Sequence, residues 1–540
     1  MKRLITLILL GLLVISTVGC SKNVVAQKTT PRYLRIAQNV DLVSIDKDVA
    51  MDSLSFEIIS DANEGLYTKD SEAKLVPALA TEHSVSEDGL TYTFKLRDAK
   101  WSNGDKITAN DFVFSWRRLV DPATASEYSF IAQVAGIKNA EAITSKKKQK
   151  EELGVSAKDD QTLVVELERP VPYFLSLTAF PTFVPLNEKF VKAQGANYGL
   201  DAANVLAAGP FKLTSWKKGY GFVLDKNPNY YNAENIKLDG LDYRVIKDNQ
   251  TAALKFESNE LDIVKISAEL VDRYKDNEAF TQVKGSMIYY ATMNAKNEVF
   301  KNVNVRKALQ HAINKQSIVD TILNDGSIVA DFIIPVGLGN GPDGKDFRSS
   351  ATDKYGKYDV ALAKKYWDTA KTELGKDVVE VELLFDDDET IKKTAEFIQA
   401  ELETNLEGIK VVLKSQPKKN RLELMGKGDY EVGLTRWGPD YDDPLTYFEL
   451  FLTGASYNYP GYSNPEYDKL VKSSSTNLAT DAKGRWDAMI KAEKILLDED
   501  AVIEPIYQQG STYLINKKIT KLGLPTPSTQ FIYKDVVIEK

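Results

Sequence analysis

Three aspartates, Asp440, Asp442 and Asp443, lie beside Trp437 and Tyr441 in the segment RWGPDYDDPLTYF. A group of carboxylates in this position could ligate a cation or supply a catalytic acid and base. It could also form a solvated turn, or pair with a positively charged group of a ligand. The remainder of the sequence has to decide among these four interpretations.

The residue inventory argues against most metal and enzyme chemistry. The chain of 540 residues contains two histidines, His83 and His311, and one cysteine, Cys20. A zinc site of Cys and His ligands cannot be built from these residues, and a Ser-His-Asp triad would need one of the two histidines. The residues after Asp443 lack the regular oxygen ligands and the glycine of a calcium loop. We therefore predict no metal site, no cofactor and no catalytic residue, with a carboxylate-pair hydrolase as the remaining enzymatic alternative.

Composition places the chain among multidomain globular proteins. A length of 540 residues favours two to four domains, and 43% apolar with 27% charged residues is ordinary for such proteins. The formal net charge of -8 gives no basic face for a phosphate backbone, so we predict no nucleic-acid partner. The 26 tyrosines and 21 phenylalanines could fill large cores or line a cavity, and composition alone does not separate the two.

Strand and helix patterns alternate along the chain. Residues 90–96 alternate with period two, and Thr108 with Asp111 forms a capping-box start for a helix that Asp121-Pro122 ends. Residues 305–313 carry a buried stripe that leaves His311 aside. The strand patterns VEVELLFD and IKVVLKS bracket a helical pattern, which indicates a mixed α/β fold.

Two groups of aspartates are assigned to local structure by the same patterns. We predict that FDDDET, residues 385–390, is a strand end that leads into a helix. Asp442 and Asp443 precede Pro444, which predicts a solvated turn for them. His83 is assigned to a strand and turn, with a structural role.

The first twenty residues have the form of an export signal. Lys2 and Arg3 precede an apolar run from Leu4 to about Val18, which is short for a membrane span. A cysteine directly after this run resembles a bacterial lipoprotein signal, although Thr17 occupies a position where such signals usually have leucine. The resemblance implies lipid on Cys20, followed by a polar tether over 21–33. We therefore expect the protein on the extracytoplasmic face of the cell membrane, anchored by this lipid.

Six separated segments resemble the family 5 extracellular solute-binding proteins, the peptide and nickel receptors of ABC importers. They occur in the order of the family and are EGLYTKDSEAKLVPALA, AKWSNGDKITANDFVFSWRRLVDPATAS, AAGPFKLTSWKKGYGFVLDKNPNYY, NVRKALQHAINKQSIV, RWGPDYDDPLTYFELF and NYPGYSNPEYDKLV. The second segment is similar to the family signature, and we assign its Trp101 and Trp116 to the core. The nearest resemblance is to the oligopeptide-binding lipoproteins.

The resemblance implies an α/β, bilobal clamp of three domains with a hinge between the lobes. Domain I would be discontinuous and would comprise residues 34–68, 200–291 and 509–540. Domain II would be an insertion over 69–199, and domain III would cover 292–508. Residues 1–20 would be the signal peptide.

The resemblance also implies candidate ligand-binding residues. Oligopeptide-binding relatives have a W-x-x-D-Y motif whose aspartate meets the α-ammonium of the peptide. Trp437, Asp440 and Tyr441 match this motif. A buried ammonium is costly unless a carboxylate pairs with it, so Asp440 is the predicted partner, and Trp437 would line a side-chain pocket.

Further candidates are less closely tied to the motif. The segment that contains Ser53 and Ser55 would pair its backbone with the backbone of the peptide, and Tyr128 would line the cavity. Arg436 could meet a ligand carboxylate or lie at the surface.

These expectations describe a monomeric, lipid-anchored receptor that captures peptides and delivers them to an ABC permease and its ATPases. Within the family, a receptor for dipeptides, nickel or another small ligand is the alternative. The hydrolase is the alternative from another class, and it predicts turnover of its ligand.

Overall fold

The computed structural model describes residues 32–526 and 529–539. Cys20, the predicted signal peptide and most of the predicted tether lie outside the described residues. The chain has the mixed α/β fold that the sequence predicts, with strands and helices alternating throughout. None of the helices in the described part of the chain combines the length and the apolar character that a membrane span requires.

The strands of the first half lie before residue 270 and are β1 (Tyr33–Gln38), β2 (Tyr67–Lys69), β3 (Leu75–Pro77), β4 (Ala80–Val85), β5 (Thr91–Leu96), β6 (Val155–Asp159), β7 (Thr162–Glu166), β8 (Phe211–Lys217), β9 (Gly221–Lys226), β10 (Gly240–Val245) and β11 (Ile263–Ile266). The later strands are β12 (Phe280–Met293), β13 (Ile328–Val329), β14 (Val379–Asp386), β15 (Ile409–Gln416), β16 (Val432–Trp437), β17 (Ile503–Ile515), β18 (Ile519–Thr520) and β19 (Val537–Ile538).

The α-helices before residue 300 are α1 (Ser53–Ala62), α2 (Ala109–Val120), α3 (Ile131–Val134), α4 (Ala140–Thr144), α5 (Phe174–Leu177), α6 (Glu188–Gln194), α7 (Asn249–Glu257) and α8 (Ala268–Tyr274). The later α-helices are α9 (Val303–Ala312), α10 (Lys315–Ser317), α11 (Phe347–Ser350), α12 (Val360–Leu374), α13 (Glu389–Asn405), α14 (Lys418–Lys427), α15 (Leu445–Phe448), α16 (Pro465–Ser474) and α17 (Ala482–Lys494). Short 3₁₀ turns occur at Lys150–Glu152, Pro181–Phe183, Gly195–Asn197, Ala202–Asn204, Ala233–Asn235 and Glu449–Phe451. Two π-helical segments follow α10 and α17, at Ile318–Leu323 and Ile495–Glu499.

One large sheet runs through the molecule in the order β15-β14-β16-β12-β17-β11-β1-β10-β9-β8, with β13 paired to β17. The long antiparallel strands β12 and β17 lie at its centre and connect two groups of strands. The β14–β15, β14–β16, β1–β10 and β1–β11 pairs are parallel. The register of β12 against β17 shifts between Lys284 and Ile288, so a bulge interrupts the pairing near the middle of the sheet.

A separate four-stranded antiparallel sheet, β4-β5-β7-β6, forms within residues 80–166. Helix α2 packs against it and begins as predicted, because the Asp111 carboxylate accepts hydrogen bonds from the N–H and Oγ1 of Thr108. Trp101 and Trp116 are fully buried, and Trp116 Nε1 donates to the Phe183 carbonyl at 2.9 Å. The prediction that both tryptophans belong to the core is confirmed.

The later α/β unit also follows the sequence pattern. Strands β14 and β15 are parallel and flank helix α13, whose N-cap Asp388 accepts from the N–H groups of Thr390 and Ile391. This confirms the predicted passage from strand to helix at FDDDET. His311 lies on α9 outside its buried stripe, as predicted, and Nδ1 of its ring lies 2.7 Å from the Lys357 carbonyl oxygen.

Candidate functional site

A cavity of about 880 Å³ opens where the strands of the large sheet end. The residues at the carboxyl ends of β1, β10 and β11 line it on one side, together with helix α1. The bulge in β12, the end of β16 and helix α14 line it on the other side. A cavity of this size is within the range of ligand pockets, and ligands of α/β proteins characteristically bind at the carboxyl ends of strands.

Of the two carboxylates of the RWGPDYDDP segment that line the cavity, Asp440 is the one without a partner in the part of the chain that the structure describes. Its backbone N–H donates to Thr446 Oγ1 at 3.0 Å, which fixes the turn after β16. No described residue donates a hydrogen bond to its carboxylate or forms an ion pair with it. Burial raises the pKa of Asp440 to about 6. The site therefore presents to the cavity a poorly solvated carboxylate that has no counter-charge within residues 32–526 and 529–539.

The prediction that Asp442 and Asp443 form a solvated turn is wrong. Asp442 Oδ2 pairs with Lys69 Nζ at 2.7 Å, and its Oδ1 accepts the Gly339 N–H at 2.9 Å. Asp443 is buried, and its Oδ1 pairs with Arg485 Nη2 at 2.7 Å. Because both charges are compensated by cations from distant segments, the two aspartates pack inside the protein rather than in water.

Aromatic residues surround Asp440. Trp437 ends β16 at the cavity wall, 4.9 Å from the Tyr457 ring between centroids, and its Nε1 has no hydrogen-bond partner among the described residues. Tyr128 also lines the cavity and lies edge-on to Phe56 at 5.0 Å. Burial, and to a smaller extent the charge of Asp440, raises the pKa of Tyr128.

Tyr441 is held by the protein itself. Its ring stacks on Tyr173 with centroids 4.3 Å apart, and its hydroxyl donates to Glu449 Oε2 at 2.9 Å. Tyr441 reaches the cavity wall, but its hydroxyl already has a partner. Through these two contacts, Tyr441 fixes the position of the segment that carries Asp440.

The expectation for the segment around Ser53 and Ser55 needs correction. The two serines begin helix α1 rather than forming a strand, because Asp52 caps the helix. The N–H and Oγ of Ser55 both donate to the Asp52 carboxylate, at 2.9 and 2.6 Å. Ser55 is fully buried and does not line the cavity, whereas Ser53 does. Ser55 is therefore removed from the candidate ligand-binding residues.

Three cations line the cavity without an acidic partner among the described residues: Arg436, Lys265 and Lys418, of which Lys418 is exposed at the start of α14. Arg436 is half-buried on β16, and its Nη1 donates to the Tyr289 hydroxyl at 2.9 Å. Lys265 on β11 was not singled out in the sequence, although a lysine within the apolar strand DIVKI is unusual. Arg436 or Lys265 could meet a ligand carboxylate.

Sequence reasoning also missed Glu57 and Asp61 on helix α1. Both side chains are buried and line the cavity. Their spacing of four residues places them on one face of the helix, next to the apolar Leu54 and Ile58. Two acids on an otherwise apolar helix segment were the available indication.

Neither histidine lies at this cavity. Nδ1 of His83 lies 2.7 Å from the Tyr67 hydroxyl, on strand β4. Within the described ranges, no group of three or more His, Cys, Asp or Glu side chains is arranged to hold a metal ion.

Comparison with known proteins agrees with this architecture. The model of the bacterial extracellular solute-binding proteins, family 5 Middle, matches residues 74–459. The dipeptide-binding protein of Lactococcus lactis is 35% identical over 532 residues, which cover 96% of this chain and 95% of that protein.

Solved structures give the same result. The substrate-binding domain of an oligopeptide ABC transporter from Bacillus anthracis is 40% identical, with a TM-score of 0.76, covering 95% of this chain and 99% of that one. OppA of Listeria monocytogenes bound to peptide is 38% identical, with a TM-score of 0.74, covering 95% and 100%. The mixed α/β fold, the cavity at the strand ends and these matches over nearly the whole length lead to one conclusion: the chain belongs to the family 5 bacterial extracellular solute-binding proteins.

Proposed function

We propose that this protein is the extracytoplasmic substrate-binding component of an ABC importer and that it captures short peptides. The observation that carries the proposal is the Asp440 carboxylate, which lines the cavity and has no partner among the described residues, while its neighbours Asp442 and Asp443 are paired. A free peptide brings an ammonium group that needs such a partner when it leaves water. Relatives with names that specify dipeptides or oligopeptides support the same ligand class.

The far end of the peptide would meet a cation. Arg436 precedes Asp440 by four residues, so their Cα atoms are at most about 13–14 Å apart. An extended peptide of about three or four residues spans a similar length. With the ammonium at Asp440, a carboxylate at Arg436 or Lys265 would define a short peptide. Trp437 and Tyr128 would contact its side chains.

The domain arrangement remains part of the proposal. The expected borders at 291/292 and 508/509 fall within the paired strands β12 and β17, so these strands would connect domains I and III and act as the hinge. The bulge in β12 interrupts the pairing at residues that line the cavity, which suits a place where the sheet has to bend. The four-stranded sheet would belong to domain II, residues 69–199.

The membrane anchor and the partners are also proposed here. Lipid on Cys20 would hold the receptor at the membrane surface as a monomer, next to the permease and the ATPases that receive its ligand. Replacement of Cys20 by serine should then release the protein from the membrane into the medium, as measured by fractionation and immunoblotting. Retention of the Cys20→Ser variant on the membrane would contradict anchoring through this cysteine.

Native mass spectrometry tests the ligand class directly. The purified protein is offered a mixed pool of peptides of two to six residues, each with a free or an N-acetylated amino terminus. We expect bound masses of intact free peptides and none of acetylated ones. Equal binding of both forms would reject the proposed contact between Asp440 and the peptide ammonium. Binding of no peptide would reject the proposed peptide-binding function. Recovery of cleaved products would favour the hydrolase.

The affinity for a tripeptide with neutral side chains is expected to depend on the ionisation of Asp440. Because burial raises the pKa of this carboxyl to about 6, acidification below pH 6 protonates the free protein and removes the charge that the ammonium needs. The dissociation constant should increase about tenfold per pH unit below pH 6, and rise again above about pH 8 as the peptide amine loses its proton. Isothermal titration calorimetry between pH 4.5 and 9 measures both limbs of this affinity profile, the acidic limb below pH 6 and the basic limb above about pH 8.

The Asp440→Asn variant is the control for this profile. It should lose the acidic limb, since asparagine does not titrate. An unchanged acidic limb in the variant would assign the pH dependence to another group.

A further inference from the structure

Glu57 and Asp61 form a second group of carboxylates in the cavity, on helix α1. Both residues are only 6% exposed, and both line the cavity. Their spacing of four residues places the two carboxyl groups next to each other on the same helical face. The proposed contact with the peptide ammonium does not use either of them.

The hydrogen bonds that reach these carboxylates do not satisfy them. The Tyr243 hydroxyl lies 3.1 Å from Glu57 Oε1 and 3.0 Å from Asp61 Oδ2, and the Tyr533 hydroxyl donates to Glu57 Oε1 at 3.0 Å. A hydroxyl has one proton, so Tyr243 can donate to only one of the two acids at a time. No described residue donates to Glu57 Oε2 or to Asp61 Oδ1.

Glu57 and Asp61 also have no counter-charge in the described part of the chain. No lysine or arginine among the described residues forms an ion pair with either of them. The nearby Lys534 pairs instead with Glu64, at 3.4 Å. Burial accordingly raises the pKa of Glu57 to about 7 and raises that of Asp61 well above its ordinary value. By contrast, the buried Asp386 pairs with Arg421 at 2.7 Å.

Aromatic rings form the walls around these carboxylates. Tyr513, Phe531 and Tyr533 all line the cavity. The Tyr513 and Phe531 rings meet edge-on at 5.2 Å, and Phe531 stacks on Tyr533 at 5.8 Å. Such walls suit the apolar stem of a lysine or arginine side chain, and ring faces attract its charged end.

We propose that this acidic pocket, formed by Glu57, Asp61, Tyr513, Phe531 and Tyr533, receives the lysine or arginine side chain of a bound peptide. The carboxylates pair with the cationic head, and the aromatic rings hold its stem. The protein therefore selects peptides that carry a basic residue. This inference rests on the proposed peptide-binding function and names the class of peptide.

Calorimetry with matched tripeptides tests the proposal. Lysine or norleucine is placed at each position in turn in an otherwise alanine peptide, so that the pair differs only in the ammonium. At one position we expect the lysine peptide to bind at least tenfold more tightly. In the Glu57→Gln/Asp61→Asn variant the two peptides should bind equally, with the norleucine peptide unaffected. Arginine and citrulline peptides repeat the comparison for a guanidinium.

Control variants separate the selectivity for a basic side chain from effects on folding and from the binding of the α-ammonium at Asp440. The single variants Glu57→Gln and Asp61→Asn, checked by thermal unfolding, should each reduce the ratio of lysine to norleucine affinity. Asp440→Asn should weaken both peptides without changing this ratio. Equal affinity for lysine and norleucine peptides at every position of the wild type would overturn the proposal, as would a preference that persists in the double variant. If the double variant lost affinity equally for all free peptides, the α-ammonium of the peptide would be assigned to the acidic pocket. That result would also overturn the proposal. If no tripeptide binds, the proposed function itself fails.

Discussion

Replacement of Asp440 by asparagine is expected to weaken the binding of free peptides by about 100-fold. The substitution keeps the size of the side chain and removes the charge that pairs with the peptide ammonium. Truncation of one partner in a buried, hydrogen-bonded charge pair costs about 2–5 kcal/mol, and a 100-fold loss corresponds to about 2.7 kcal/mol. Calorimetry at pH 7.5 with a free tripeptide and its N-acetylated form measures the effect. The weak binding of the acetylated form should change little.

Asp272→Asn is the matched control, because this aspartate is exposed on α8 and pairs only with Lys275 at the surface. Its peptide affinity should equal that of the wild type. An Asp440→Asn variant that binds free peptides as tightly as the wild type would contradict the role of this carboxylate.

The stability of the ligand-free Asp440→Asn variant should change in the opposite direction to its affinity. Because the folded protein raises the pKa of Asp440 to about 6, the wild type loses stability as the pH rises from about 4 through 6 and the buried group ionises. Asparagine avoids this loss. Thermal unfolding should therefore show a higher Tm for the variant at pH 7.5, by roughly 1–3 °C, and no difference at pH 4.

Replacement of Arg485 by methionine is expected to lower the free energy of unfolding by about 3–5 kcal/mol. Arg485 is buried on α17, where Nη2 pairs with Asp443 at 2.7 Å and Nε donates to the Ser474 carbonyl at 3.0 Å. Methionine fills a similar volume but leaves the Asp443 charge inside the protein without a partner. Urea unfolding followed by circular dichroism measures the loss.

Two further variants help to interpret the result for Arg485→Met. Lys483→Met removes an exposed cation two residues earlier on the same helix and should change stability by less than about 0.5 kcal/mol. The double variant Arg485→Met/Asp443→Asn should recover part of the loss, since it removes the uncompensated charge as well. If Arg485→Met unfolds at the wild-type urea concentration, the Arg485–Asp443 pair is not a significant source of stability.

Both predictions concern the same short segment, which has two separate tasks. Asp442 and Asp443 attach it to the protein through Lys69 and Arg485, and Tyr441 packs on Tyr173. Asp440 is then held at the cavity, where no described residue pairs with its carboxylate. A rigid support for an unpaired charge makes the carboxylate available to a ligand at little cost in reorganisation.

Local features followed from the sequence because their causes are local. The capping residues of α2, the strand and helix around FDDDET, and the buried stripe of α9 depend on side chains within a few positions of one another. The family also followed, from six separated segments that occur in the order of the family, and Asp440 became a candidate through the short W-x-x-D-Y match. Polar spacing around Pro444 predicted a turn correctly, but it carried no information on whether water or protein surrounds that turn.

The partners of charged groups were decided only by the tertiary structure. Asp442 meets Lys69 across 373 positions of the chain, and Tyr533 donates to Glu57 across 476. Ser55 was expected at the cavity, and helix capping by Asp52 turned its hydroxyl and N–H away from it. A sequence pattern records which face of an element is apolar, whereas the charge that an acid meets depends on which distant elements pack there. The sequence alone therefore determined the fold class and put forward Asp440 as a candidate, and packing determined which of the remaining acids are paired and which line the cavity.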